Sequence, residues 1–346
     1  MLQSPPFPPE SFANLLLLYA KYNYYDLAAD VLAENSDLTF KYIIQEDLEY
    51  IEALIFQNSN PDETVVKFQE LGGRHVESLR RVTRNIKDAQ VERDNDALKK
   101  ALKEYDDCLE KYIPVLMAEA NIYWNKEDYD TVERLFKQSA EFCSVHDVWR
   151  LNLAHVFFIQ DNKYNEAIHY YETILRKNIN NLLSLTAIVI ANLCVSYIMV
   201  EKNDQAEEII RNLEEAEVRA FEENPDKQQY HLCTVNLVIG TLYCSKGNYE
   251  FGIGRIIKSF DPYQKKLGPD TWYYAKRCFL SLIEKMAKHK VLNIPDRTVI
   301  EILDFLENCE QYGKEIKTNL GPISESITTV THEARILKRM FIKFRD

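Results

Sequence analysis

An aromatic residue followed nine positions later by a small or short apolar residue recurs along this chain, at roughly the period of a two-helix repeat. The pairs are Tyr19 and Ala28, Tyr123 and Val132, Phe158 and Ala167, Tyr197 and Ala206, and Tyr243 and Gly252. In an array of helical hairpins each unit buries its apolar face only by stacking on its neighbours. The spacing therefore predicts an all-α fold, and this architecture favours a scaffold over an enzyme.

The register of the aromatic residue supports a tetratricopeptide-repeat superhelical solenoid of about seven to eight helical hairpins. With the aromatic at the eleventh position, apolar residues at intervals of three and four fall on one face of each helix. The eighth position, three residues before the aromatic, holds a small residue in three units, as Ala120, Cys194 and Gly240, while Leu16 and His155 depart from the pattern. The alternative is an ordinary bundle of amphipathic helices.

The register divides residues 1–320 into repeat units. Clear units are expected near 9–42, 113–147, 148–186, 187–225 and 233–266, with degenerate units at 43–112 and 270–312 and a tail or capping helix at 321–346. Within the first degenerate stretch, Pro61 marks a helix start and Gly72-Gly73 a break or kink. The charged stretch 80–103 is interpreted as a solvated helix.

Charge and composition exclude several function classes. The formal net charge of -12 disfavours nucleic-acid binding, which needs a basic surface. No run of about 20 apolar residues is present, so we expect no membrane insertion and a location inside the cell. The seven cysteines occur singly, which indicates reduced thiols. His231 and Cys233 are two positions apart, and at that spacing two side chains of a helix do not face the same metal ion. No cofactor is expected.

The catalytic signatures each lack a required residue. His332-Glu333 resembles the start of a zinc-protease helix, but Ile336 stands where the second histidine is needed. Gly252-Ile253-Gly254 continues to Ile257 where a dinucleotide-binding loop needs glycine, and no strand precedes it. We therefore expect no enzymatic activity.

A concave groove is the candidate site that remains. In this register the fifth, ninth and twelfth positions of the first helices face the groove. They are Met117, Asn121 and Trp124; Asn152, Val156 and Ile159; Ala191, Val195 and Ile198; and Leu237, Thr241 and Cys244. Such an apolar lining suits an extended, weakly charged segment, for example a proline-rich one. In the alternative, the helices pack more tightly and these side chains are core.

Two basic stretches each allow two interpretations. Residues 80–103 could meet an acidic partner, or form a mixed-charge solvated face. The basic amphipathic stretch 335–345 could bind a partner or a membrane surface, or serve as the terminal capping helix.

Longer strings resemble a specific family. Residues 2–12, 15–30, 121–129, 149–158 and 240–249 are similar to the tetratricopeptide-repeat subunit of the intraflagellar transport B complex, the tetratricopeptide-repeat protein thirty family. The likeness runs to about Leu320 and covers the C-terminal half of the family, whose N-terminal repeats this chain lacks.

The resemblance implies a non-enzymatic adaptor needed for cilium assembly and anterograde transport. It implies partners among the other B-core subunits, especially one with a proline-rich segment, and an indirect association with kinesin-II trains. It also implies an indirect role in polyglutamylation of axonemal tubulin, and a location in the cilium, including the axoneme and basal body, and in the cytoplasm. The alternative is a helical-repeat subunit of a peptide- or tubulin-modifying enzyme complex.

Overall fold

A computed structural model of the chain describes residues 10–35, 39, 41, 43–57, 59–224, 229–288, 295–318 and 328–345. The Pro-rich opening at 2–9 and residues 319–327, which include the start of the expected tail, lie outside the described residues. The chain divides into two compact units, Met1–Val156 and Phe157–Asp346. The described residues are mainly helical, and this confirms the predicted all-α class.

The described residues of the first unit form a series of helices. They are α1 (Glu10–Lys21), α2 (Tyr25–Glu34), α3 (Gln45–Phe56), α4 (Pro61–Glu92), α5 (Asn95–Asn125), α6 (Tyr129–Cys143) and most of α7 (Asp147–Ile159). Pro61 begins α4 as expected, since the Asn60 side chain caps the helix by accepting a bond from the Glu63 amide.

The second unit continues the helical succession after the end of α7. Its α-helices are α8 (Tyr164–Lys177), α9 (Ala187–Met199), α10 (Asn203–Glu223), α11 (His231–Ser245), α12 (Tyr249–Ser259), α13 (Tyr263–Lys266), α14 (Pro269–Lys288), α15 (Asp296–Tyr312) and α16 (Val330–Arg345), with a 3₁₀ helix at Ile179–Ser184.

One turn geometry recurs where the sequence repeat predicts a hairpin. A residue with positive φ follows the repeat aromatic by four positions in each of five turns, as Asn23, Glu127, Asn162, Glu201 and Gly247. In four of these turns the next amide donates to the carbonyl of the aromatic residue, for example Asp128 N to Tyr123 O at 3.0 Å. The aromatic therefore marks the end of the first helix in each hairpin, because this left-handed cap satisfies its carbonyl.

Two expectations for residues 61–103 are wrong. Gly72 and Gly73 lie inside the continuous 32-residue helix α4, because packing against α5 outweighs the low helix propensity of two glycines. The charged stretch 80–103 is not one helix, since Arg93 adopts φ 56° and the chain reverses there into α5. It forms the far end of a long helical hairpin, in which Val82, Ala89 and Ala101 are the buried residues.

The core of the second unit is aromatic. Phe260, Phe279, Phe305 and Phe341 are buried, and the ring centroids of Phe260 and Phe305 are 5.1 Å apart. Phe341 and Leu337 belong to α16, so the inner face of this basic helix packs on α14 and α15. That face is therefore not available to a membrane surface.

Two glycines set the distance between α11 and α12. A Cβ atom added at Gly240 would lie 2.6 Å from Ile256 Cγ1 and 2.8 Å from the Gly252 carbonyl oxygen. A Cβ at Gly252 would lie 2.6 Å from both the Cys244 sulfur and the Gly240 carbonyl oxygen. Helix backbones pack this closely only when both residues lack a side chain.

Candidate functional site

The predicted lining residues of the first unit lie around one groove. Met117, Asn121 and Trp124 of α5 meet Asn152 and Val156 of α7 along an open cavity of ≈ 640 Å³. All five line it, together with residues of α1, α2, α3 and α6. We call this cavity the α5–α7 groove.

Other lining residues of the α5–α7 groove were absent from the sequence prediction. Leu17 and Ala20 of α1 occupy the same ninth and twelfth repeat positions, so extending the register to the first unit would have found them. Tyr50 and Leu54 belong to α3 and Gln57 caps its C-terminus, in a segment where the repeat pattern is lost. Nothing in the sequence pointed to these three residues.

The chemistry of the α5–α7 groove is apolar with an aromatic and amide rim. Its apolar lining includes Leu17 and Met117, and also Phe136 and Val156, which are almost fully buried. The half-buried Trp124 ring packs edge-on against Tyr129, with centroids 5.1 Å apart. The amide side chains are those of Gln57, Asn121 and Asn152, and the Asn152 amide donates to the Val148 carbonyl at 2.8 Å.

The titratable groups of the α5–α7 groove are mostly neutral. Burial lowers the pKa of His155, which keeps its imidazole uncharged at neutral pH. Burial, with a smaller contribution from Tyr25, raises the pKa of Tyr50 to about 12, so its phenol stays protonated. Lys21 is the one Lys or Arg side chain among the lining residues. A ligand with few charges fits such a surface, since neither partner loses the hydration of an ion.

The predicted lining residues of the second unit are mostly core. Ala191, Val195, Leu237 and Cys244 are buried, which contradicts an open groove along α9 and α11. Helix α14 packs on α11, and the Cys278 thiol lies 3.4 Å from the Thr241 hydroxyl oxygen. The half-buried Ile198 and the exposed Ile159 are the more accessible members of this set. The alternative of tighter helix packing therefore describes this unit better.

Within the described ranges, no three His, Cys, Asp or Glu side chains are grouped so that they could hold a metal ion. In the same ranges, no helix has the length and apolar character needed to cross a membrane.

Comparison with known proteins gives a family. The protein-family model described as the intraflagellar transport protein 70 C-terminal domain matches residues 11–346 of this chain. The likeness therefore extends past Leu320 to residue 346. Intraflagellar transport protein 70A of Xenopus laevis is 54% identical over 98% of this chain and 53% of its own length. Intraflagellar transport protein 70A1 of Mus musculus is 55% identical over 98% of this chain and 52% of its own length. The chain thus spans about half the length of these curated relatives.

Solved structures are more distant. The human IFIT1 dimer with PPP-AAAA has a TM-score of 0.39 at 12% identity, over 96% of this chain and 82% of that chain. This similarity is too low to carry an argument about function.

Proposed function

Because the chain belongs to the intraflagellar transport protein 70 C-terminal domain family, we propose that it is a non-enzymatic scaffold subunit of the intraflagellar transport B complex. Its relatives are named as intraflagellar transport proteins, and none of the names quoted above describes an enzyme. This favours the scaffold over a subunit of a peptide- or tubulin-modifying enzyme complex. The proposal includes partners among the B-core subunits, indirect attachment to kinesin-II trains and a need for the protein in cilium assembly and anterograde transport.

The α5–α7 groove is the proposed contact with an extended, proline-rich segment of a B-core subunit. A polyproline helix has no internal hydrogen bonds, so its carbonyl groups need donors from the partner. The amides of Gln57 and Asn121 supply such donors beside the aromatic side chains of Trp124 and Tyr50. The near-neutral lining is the observation that carries this assignment, because it fits a segment rich in proline and poor in charge.

The location and the extent of the chain are further parts of the proposal. We place the protein in the cilium, with its axoneme and basal body, and in the cytoplasm from which trains assemble. Its role in polyglutamylation of axonemal tubulin is indirect, through transport. We propose that the chain corresponds to the C-terminal half of its relatives, as the description of the matching family domain suggests.

Charge substitution at Leu17 tests the groove. Leu17 is exposed and lines the α5–α7 groove, so Leu17→Glu should fold normally and place a hydrated carboxylate against an apolar ligand, whether or not Lys21 one turn later pairs with it. We expect the affinity for a proline-rich peptide to fall about tenfold or more, which corresponds to about 1.4 kcal/mol. The measurement is fluorescence anisotropy with labelled proline-rich peptides drawn from the B-core subunits.

Leu18→Glu is the matched control. Leu18 is the next residue of α1, is equally exposed, and is not among the groove residues. Its substitution should leave peptide affinity unchanged. Equal binding by wild type and Leu17→Glu would disprove the groove assignment. Failure of the wild-type chain to co-purify with any B-core subunit would instead count against the scaffold role.

A further inference from the structure

Two adjacent glycines in α4 have no explanation in the packing of the described chain. A Cβ atom at Gly73 would have nothing within 4 Å, and one at Gly72 would make ordinary contacts of 3.8 Å with Tyr112 and 3.9 Å with Val115. Glycine in a helix interior is less favourable than alanine by about 1 kcal/mol. Alanine would therefore fit at both positions, and Gly73 leaves an open place on the surface of α4.

The space left beside these glycines is a second groove. It has a volume of ≈ 500 Å³ and lies between α4, α5 and α6, away from the residues of the α5–α7 groove. Its lining includes Gln69, Gly73 and Arg80 of α4, Glu119 of α5 and Phe142 of α6. We call it the glycine groove.

Glu119 is the unusual residue of the glycine groove. Glu119 is only 7% exposed to solvent, and Gln69 Nε2 donates a hydrogen bond to Glu119 Oε1 at 3.1 Å. Burial raises the pKa of Glu119, while the bond from Gln69 opposes that rise. A neutral amide compensates a buried carboxylate poorly, whereas a cation from a ligand would satisfy it.

The glycine groove has opposite charges at its two ends. Gln69, which contacts Glu119, and Arg80 both line it, and they are 11 positions apart on α4. At 1.5 Å per residue the two positions are separated by about 16 Å. An extended peptide covers that distance with about five residues.

We propose that the glycine groove is a docking site for an extended segment of a partner protein. The segment carries Lys or Arg against Glu119 and, about five residues away, Asp or Glu against Arg80. The missing side chain at Gly73 lets the backbone of this segment approach α4 closely. This site shares no lining residue with the proline-rich contact proposed above, so either assignment can fail without the other.

Peptide selection tests this assignment directly. A phage-displayed library of random heptapeptides is selected on the folded chain, and the enriched sequences are resynthesised for calorimetry. We expect a consensus with a basic and an acidic residue four to five positions apart. Gly73→Trp should reduce the affinity of the selected peptide at least tenfold, since the indole fills the open wall.

Three further variants distinguish a blocked glycine groove from a misfolded chain. Gly254→Trp places the same side chain at another open helical glycine in the second unit and should leave binding unchanged. Gly73→Ala should raise the melting temperature, and its single methyl group should reduce affinity, but by less than Gly73→Trp does. Glu119→Gln should weaken binding at least tenfold.

The pH profile gives an independent readout. Wild-type affinity should fall on acidification from neutral pH, because protonation of Glu119, whose pKa burial raises, removes the charge that attracts the basic residue. Glu119→Gln should remove this part of the dependence and leave only the fall at lower pH that comes from the acidic residue of the segment. A consensus without paired charges, no enrichment, or equal affinity for wild type and Gly73→Trp would overturn the proposal. A purely proline-rich consensus would report the α5–α7 groove and would also overturn it.

Discussion

Gly252→Ala is expected to destabilise the chain by about 3 kcal/mol, near the upper end of the usual cost of adding a methyl group to a tightly packed contact. The new Cβ would lie 2.6 Å from the Gly240 carbonyl oxygen, which is a backbone atom, and at the same distance from the Cys244 sulfur. Relief requires α11 and α12 to move apart, and that movement disturbs the buried residues between them. Chemical denaturation of the purified chain measures the loss.

Gly254→Ala is the control for this substitution in the same helix. Its Cβ would meet nothing within 4 Å, so the gain in helix propensity should stabilise the chain by up to about 1 kcal/mol. A loss of stability for Gly252→Ala together with a gain for Gly254→Ala would establish the close approach of the two helices as the cause. A neutral Gly252→Ala would contradict the helix spacing of the structure.

Trp272→Ala is expected to cost about 3–5 kcal/mol, the range for removing a large aromatic side chain from a core. Trp272 is 1% exposed, and its indole Nε1 donates to Glu333 Oε2 at 2.7 Å. Lys276 Nζ lies 3.0 Å from the same oxygen, so the two donors join α14 to the terminal helix α16. Thermal and chemical unfolding followed by circular dichroism measure the effect.

Trp272→Phe separates packing from hydrogen bonding. Phenylalanine retains most of the apolar volume but leaves the carboxylate of Glu333 without one donor, and we expect a loss of about 1–3 kcal/mol. Burial alone would raise the pKa of Glu333, but its hydrogen bonds hold the pKa below the ordinary value of 4.5. The stability that Glu333 contributes is therefore present above that pH and is lost on further acidification. The variant should lose less stability than wild type between pH 5 and 3, and an identical pH profile would contradict the role given to the indole.

The repeat register predicted the hairpin turns because their geometry is local. The aromatic residue and the left-handed residue four positions later lie in one turn, as Tyr123 and Glu127 do. The hydrogen bond that closes this turn, from Asp128 N to Tyr123 O, involves no other part of the chain. Met117 and Asn121 were placed on the groove for a similar reason, since helical periodicity fixes which face they share.

Burial of the lining residues in the second unit could not be predicted in the same way. Whether Leu237 faces a groove or a core depends on where α14 packs, and this is a contact between segments far apart in sequence. The same limit applies to Gly72 and Gly73, whose unfavourable propensity suggested a kink. The long contact of α4 with α5 keeps the helix continuous, and local preference alone carries no information about that contact.

The hairpin of α4 and α5 offers a site at which the protein can be labelled. These helices have 32 and 31 residues, or about 48 and 46 Å at 1.5 Å per residue. Their distal ends are joined at Arg93 and Asp94, where the Asp94 side chain caps α5 by accepting bonds from the amides of Asp96 and Ala97. Exposed turns of this kind are suitable insertion points. An epitope or fluorophore placed there would label the protein at a point clear of both grooves.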